Sequence, residues 1–149
     1  GCAISQDMIV GFPTETEEDH KETLSLMEYV KYDFGYMYKY SERPGTMAAR
    51  KLEDDVPEEI KSRRLTEIVD LQQKHSAIRT AEFLGKTVTV LIEKESKKNK
   101  DEWSGRTEHN NVAVFPKSTY KPGDFVKVKV TDCTTATLIG EAVGYSEFN

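Results

Sequence analysis

Up to Gly85 the hydrophobic positions of this chain mix strand-like and helix-like periods, and beyond it they keep to a period of two. From Met8 to Phe12 a short apolar run reads as a buried strand, and it stops at Gly11-Phe12-Pro13. Thr16 is placed to cap a helix, and Glu17, Glu18 and Asp19 sit where the helix dipole favours acids. Leu24, Met27 and Val30 then recur at helical spacing, which predicts a helix to about Lys31. From Phe34 to Tyr40 the pattern alternates, with Phe34, Tyr36, Tyr38 and Tyr40 on one face and Met37 and Lys39 on the other. The aromatic face is expected to pack in a core. Strand, helix and strand with short links make a βαβ unit with parallel strands, and its open edges call for a larger sheet. Arg43-Pro44-Gly45-Thr46 is a turn, and Glu53-Asp54-Asp55 leads to Pro57 in the first turn of a long helix ending near Phe83. Ile60, Leu65, Ile68, Leu71 and Ile78 form its apolar stripe, with His75 near it. Arg63, Arg64, Gln72 and Gln73 are predicted to point outward.

Beyond Gly85 the period is two. Val88, Val90 and Ile92 alternate with Thr87, Thr89, Leu91 and Glu93, and Lys97-Lys98-Asn99-Lys100 is a turn. Further strands are predicted at Trp103–Arg106, Val112–Phe115, from Phe125 through Val130 after the Pro122-Gly123-Asp124 turn, and at about Thr137–Gly144. Five short strands of this kind predict a small closed antiparallel barrel, since closure removes the edges.

Composition narrows the class. Charged residues are 32 % and hydrophobic ones 37 %, the balance of a globular chain. No apolar run reaches the roughly 20 residues that span a bilayer. Cys2 and Cys133 belong to no spacing motif, which argues against a disulfide framework and for a reducing compartment. His20, His75 and His109 have no metal-ligand spacing. The net charge of −5 lies entirely in residues 1–81, where 11 Lys and Arg face 16 Asp and Glu; residues 82–149 hold 10 of each. Phosphate binding is local, so this balance does not exclude nucleic acid.

Several segments resemble one family. DMIVGFPTETEED at 7–19, YSERPGT at 40–46, DDVPEEIKSRRLTEIVDLQQKH at 54–75 and WSGRTEHNNVAVF at 103–115 are similar, in this order, to the MiaB-type tRNA methylthiotransferases, which are radical S-adenosylmethionine (SAM) enzymes. The IVGFP-x-ET segment is general to methylthiotransferases; the RPGT turn and SGRTE-x-N are more particular to this branch. The resemblance implies an α+β chain in two parts. Residues 1–81 would be the βαβ end of a partial (β/α) radical SAM barrel with its connecting helix. Residues 82–149 would be a TRAM domain, an OB-like five-stranded barrel that binds RNA. The parent enzyme would add a methylthio group to an isopentenylated adenosine beside the anticodon, using two 4Fe-4S clusters and SAM. Its partners would be the tRNA anticodon stem-loop and its own N-terminal domains, in the cytoplasm and without a membrane.

The chain also departs from the family. Three thiolates of a CxxxCxxC loop hold the radical cluster in such enzymes, and neither that loop nor the auxiliary-cluster cysteines occur here. The chain alone is therefore expected to hold no cofactor and to be inactive. A start without Met, directly into a strand, suits a piece of a larger protein. Thr14 stands where many relatives carry Gly. Two other readings are a self-standing RNA-binding module and a methylthiotransferase acting on a ribosomal protein. Arg43-Pro44 speaks against the latter, whose branch usually carries acids in this turn. Strand edges at Met8–Phe12 or Phe34–Tyr40 are expected to favour self-association.

Candidate site residues follow. From the residues alone, Gly11, Pro13 and Glu15 read as a strand-to-helix turn with an exposed carboxylate; the resemblance places them on the SAM side. Arg43, with Tyr40 and Ser41, is either a solvated turn arginine or a grip for phosphate or carboxylate. Among Lys86, Lys94, Lys97, Lys98, Lys100, Arg106, Lys117, Lys121, Lys127 and Lys129, the pair Lys127 and Lys129 projects from one strand face. With Arg106 it makes a candidate phosphate stripe. Trp103 and Phe115 either stack on bases or belong to the core or rim.

Overall fold

The computed structural model describes residues 1–149. It contains two compact units, Ile4–His75 and Ser76–Asn149, the latter grouped with Gly1–Ala3.

The first unit comprises β1 (Ser5–Val10), α1 (Glu17–Val30), β2 (Phe34–Lys39), α2 (Met47–Lys51) and most of α3 (Glu58–Ala81). The two strands pair in parallel, from Ser5↔Phe34 to Val10↔Lys39. A reciprocal cap starts α1: Thr16 Oγ1 accepts the Asp19 N–H at 3.1 Å, and Asp19 Oδ2 accepts the Thr16 N–H at 2.8 Å. Its end is a left-handed Lys31. Val10, Met27 and Ile68 are fully buried, with Met8, Leu24, Met37, Leu65 and Leu71 packed around them. These residues occupy one face of the sheet. The other face is open: Ile9, Tyr36 and Tyr38 are 58 %, 60 % and 54 % exposed. The tyrosine stripe expected in a core thus lies on a surface, because the apolar cluster forms behind Met8, Val10 and Met37.

Helix α2 was not predicted, since five residues are too short to show a repeat. Thr46 caps it, accepting the Ala49 N–H at 3.2 Å. Helix α3 corrects a second expectation. Its buried face is Lys61, Arg64, Ile68, Gln72 and His75, so Arg64 and Gln72 point inward, not outward. Each has a specific polar partner there. Gln72 Nε2 donates to the Tyr32 carbonyl at 2.9 Å, and its Oε1 accepts from Gln6 Nε2 at 3.2 Å. A helix can bury such groups only when they are bonded.

In the second unit β3 (Thr87–Glu95), β4 (Glu102–Thr107), β5 (Val112–Pro116), β6 (Phe125–Cys133) and β7 (Thr137–Tyr145) close a barrel in the order β3-β4-β5-β7-β6. The five-stranded barrel is as predicted, but one pairing, β5–β7, is parallel. Parity explains this: strand direction cannot alternate around a closed ring of five. The core is Val90, Ile92, Ala113, Phe115, Val126, Val128, Val130 and Leu138. Bulges in β3 and β6 add the bend that closure needs. Two glycines mark the tightest crossings, since a Cβ on Gly105 or Gly140 would lie 2.2 Å from the carbonyl oxygen of Leu91 or Lys129.

Candidate nucleic-acid interface

The outward positions of β4, β5 and β7 fall into two rows. Arg106, Val112 and Thr137 form one, and Lys94, Ser104, Val114 and Ile139 form the other, starting on β3. Between them runs a cleft of about 450 Å³ whose apolar floor is Val112, Val114 and Ile139. Lys97 and Lys98, from the β3–β4 loop, border it at one side, and Thr134, from the β6–β7 loop, at another. In OB-type barrels oligonucleotides lie on the second and third strands between these same two loops. Four cations (Lys94, Lys97, Lys98 and Arg106) and two carboxylates (Glu93 and Glu102) line the cleft. None of the four cations takes part in an ion pair. Arg106 is held by Asn110, donating to its carbonyl at 3.0 Å and to its Oδ1 at 3.2 Å.

The predicted stripe is divided by this arrangement. Arg106 belongs to the cleft. Lys127 and Lys129 lie on β6, across β3 from β4. Lys127 is paired with Glu147 at 2.9 Å, and this bond lowers the Glu147 pKa. Lys129 stands opposite Glu141. Lys86 lies over the Phe83 ring. Phe115 is fully buried, so it has no face to offer a base; the pleat of β5 turns it inward with Ala113. Trp103 is partly buried, donates to the Tyr120 carbonyl at 3.1 Å and has Lys117 over its ring. Sequence reasoning grouped cations along one strand. The cleft is assembled by register across three strands, with the signal residing only in Lys97-Lys98 beside the Val112/Val114 alternation.

The other candidate residues lie in the first unit. Gly11 has φ 70°, and Lys61 fills the space its side chain would need, since an added Cβ would lie 2.3 Å from Lys61 Cγ. Glu15 is not exposed as expected. Its side chain is 13 % exposed, accepts the Gly11 N–H at 3.1 Å and binds Arg64 Nη1 at 2.6 Å. Pro13 is buried beside them. Thr14 adopts φ 77°, a left-handed conformation that favours glycine, and Asp55 Oδ1 accepts its N–H at 2.7 Å. Lys61 Nζ meets Asp54 at 2.6 Å and lies 5.4 Å from the Tyr40 ring centre, while Tyr40 packs edge-on against Phe12. Lys61 and Arg64, missed in the sequence, therefore hold this turn together. Glu17, bonded chiefly by Arg63, has its pKa lowered from 4.5 to about 2. Glu67, bonded chiefly by His20 at 2.7 Å, is lowered too. Ser41 and Arg43 are exposed, and the Arg43 guanidinium has no partner.

A closed five-stranded barrel with a cleft on its second, third and fifth strands defines a small OB-like module. Residues 81–143 match the TRAM domain family. Over 99 % of its length the chain is 70 % identical to a protein of Christiangramia forsetii and 69 % identical to one of Flavobacterium johnsoniae. Over 95 % it is 54 % identical to one of Bacteroides fragilis. All three are named tRNA-2-methylthio-N(6)-dimethylallyladenosine synthase, and the chain spans about a third (31 %) of the length of each. The chain is thus similar along nearly its whole length to one part of these synthases, and residues 81–143 carry a TRAM domain.

Proposed function

We propose that this chain is part of an enzyme that adds a methylthio group to isopentenylated adenosine next to the tRNA anticodon. In this reading residues 1–81 supply the end of the catalytic (β/α) barrel and its connecting helix, and residues 82–149 bind RNA. The observation that carries it is the identity to synthases of this name along 99 % of the chain. The open face of Ile9, Tyr36 and Tyr38 supports the first assignment, because a two-stranded sheet with an uncovered apolar face suits a larger barrel. The unpaired cations of the β4–β5–β7 cleft support the second.

The enzyme would use two 4Fe-4S clusters and SAM. The residues here do not fit a cluster. Each cluster needs at least three thiolates, the chain has two cysteines, both free, and no three His, Cys, Asp or Glu side chains form a metal-holding group. The clusters would be held by other parts of such an enzyme. Gly11, Pro13 and Glu15 would shape the barrel mouth on the SAM side, with Arg43 ready for an anionic group of substrate or cofactor. No helix is long and apolar enough to cross a membrane, which agrees with a cytoplasmic enzyme working on tRNA.

Two experiments test this. The Flavobacterium johnsoniae synthase, with its matched segment replaced by this chain, retains tRNA methylthiolation in vitro; an inactive but folded hybrid counts against the enzymatic assignment. The chain itself binds an anticodon stem-loop in a salt-sensitive manner. Lys97→Glu with Lys98→Glu weakens that binding about tenfold and flattens its salt dependence, whereas Lys127→Glu with Lys129→Glu changes it less than about twofold. The opposite ranking would move the RNA to the β6 face.

A further inference from the structure

We propose that Lys61 is a positioning residue for Arg43: it clasps both ends of the loop of residues 41–53 and so sets where that arginine stands. The inference rests on the reading of Arg43 as a grip for an anionic group and names what holds the grip in place.

The loop is stiff within itself but unmoored. None of residues 41–53 is buried, and their hydrogen bonds all stay inside the segment. The Arg43 carbonyl accepts from Thr46 Oγ1 at 2.9 Å, Thr46 caps α2, and Arg50 Nη2 donates back to the Gly45 carbonyl at 2.9 Å. Pro44 fixes one further backbone angle. The piece from Arg43 to Arg50 is therefore braced as one body, yet no hydrogen bond or ion pair fastens it to the rest of the unit. In a surface loop of this kind the place of the tip is decided where the two ends leave the fold.

Both ends meet at Lys61. At the first, the Tyr40 N–H donates to the Val10 carbonyl at 2.8 Å, and the Tyr40 ring centre lies 5.4 Å from Lys61 Nζ. At the second, Asp54 takes the same ammonium at 2.6 Å, and Asp55 accepts the Thr14 N–H at 2.7 Å. Lys39 and Glu58 pair just outside these two points. The residue before the loop and the residue after it thus share one cation. The Lys61 side chain is 4 % exposed, and an ammonium so little exposed needs its acceptor. Asp54 cannot swing away without stranding that charge. Filling the space over Gly11 takes only the apolar stem of Lys61. The charge at its tip serves the clasp.

The test has two arms. In the 149-residue chain, Lys61→Met keeps the stem and removes the charge. Amide hydrogen exchange followed by NMR is expected to quicken about tenfold at Thr14 and Tyr40, the two loop ends. Arg50 and Leu52, bonded within the loop, and the amides of α1 should exchange as before. If Lys61→Met does not fold, Asp54→Asn, which leaves Lys61 in place, is measured with the same expectation at about threefold. Unchanged exchange at Thr14 and Tyr40, or a rise spread over the whole unit, overturns the proposal. The second arm uses the Flavobacterium johnsoniae synthase carrying this chain and reads kcat/KM for tRNA methylthiolation. Arg43→Met and Lys61→Met are each expected to lower it about tenfold, and the double variant should match Arg43→Met within about twofold, because Lys61 acts through Arg43. Effects that multiply in the double variant overturn the positioning role and leave Arg43 its own. An Arg43→Met variant as active as the parent removes the grip itself, and the inference falls with it.

Discussion

The barrel gathers eight buried apolar side chains in one closed cluster, whereas the buried cluster of the βαβ unit has three, with Lys61 and Arg64 beneath its strand-end turn. Closure gives every barrel strand two neighbours, so its stability rests on apolar packing that needs nothing further. The βαβ sheet has two strands and an open aromatic face. Its turn is held by charged pairs that are strong only while complete. The difference separates two tasks: the barrel is a finished module, and the βαβ unit is a scaffold for a turn.

Substitutions can break this comparison, and the largest effect is expected in the barrel core. Phe115→Ala should cost about 3–5 kcal/mol. Trp103, the one tryptophan and a direct cross-strand neighbour of Phe115, reports it by fluorescence during urea unfolding. If helical circular dichroism at 222 nm moves by the same amount, the units unfold together and the contrast is lost. Arg64→Ala comes next, at about 3 kcal/mol, because it leaves the nearly buried Glu15 carboxylate without its cation. The helical signal should register it before Trp103 does. Thr14→Gly should stabilise the βαβ unit by about 1 kcal/mol, since it relieves a β-branched residue at φ 77°. A destabilised variant would mean that the Asp55 bond, not the backbone, sets this conformation.

The smallest effect is that of acid. Glu17 has a folded pKa near 2 against an ordinary 4.5, so its stabilising contribution is complete above 4.5 and is lost as pH falls toward 2. Asp19 and Glu67 are shifted the same way in this unit, and Glu95 and Glu147 in the barrel. Glu17 is solvent-exposed, so screening keeps its share modest. Melting curves at pH 6, 4 and about 2.5 should fall in that order, and Arg63→Met should flatten the helical trend. A helical signal that strengthens with acid would contradict the pairing.

How much of this was legible in the sequence depended on the range of the cause. Local causes were readable: the Thr16 cap, the Leu24-Met27-Val30 repeat, and the alternation at Val88-Val90-Ile92 each lie within one element. Causes that join distant segments were not. Arg64 looks like a surface residue until Glu15 meets it 49 positions away. Phe115 could face either side of β5 until the register with Trp103 and the inward Ala113 settles the pleat. The cleft shows this most plainly, since Val114 and Ile139 become neighbours only through the parallel β5–β7 pairing.

That parallel pairing also bears on the order in which the module can be made. Of the five barrel strands β7 is synthesised last, yet it sits between β5 and β6. Until residues 137–145 leave the ribosome, the other four strands can form at most an open sheet whose two free edges flank a single missing slot. The cleft lacks Thr137 and Ile139 for the same interval. Closure is thus a single late event, and the ability to receive a ligand arrives with the final strand rather than accumulating along the chain.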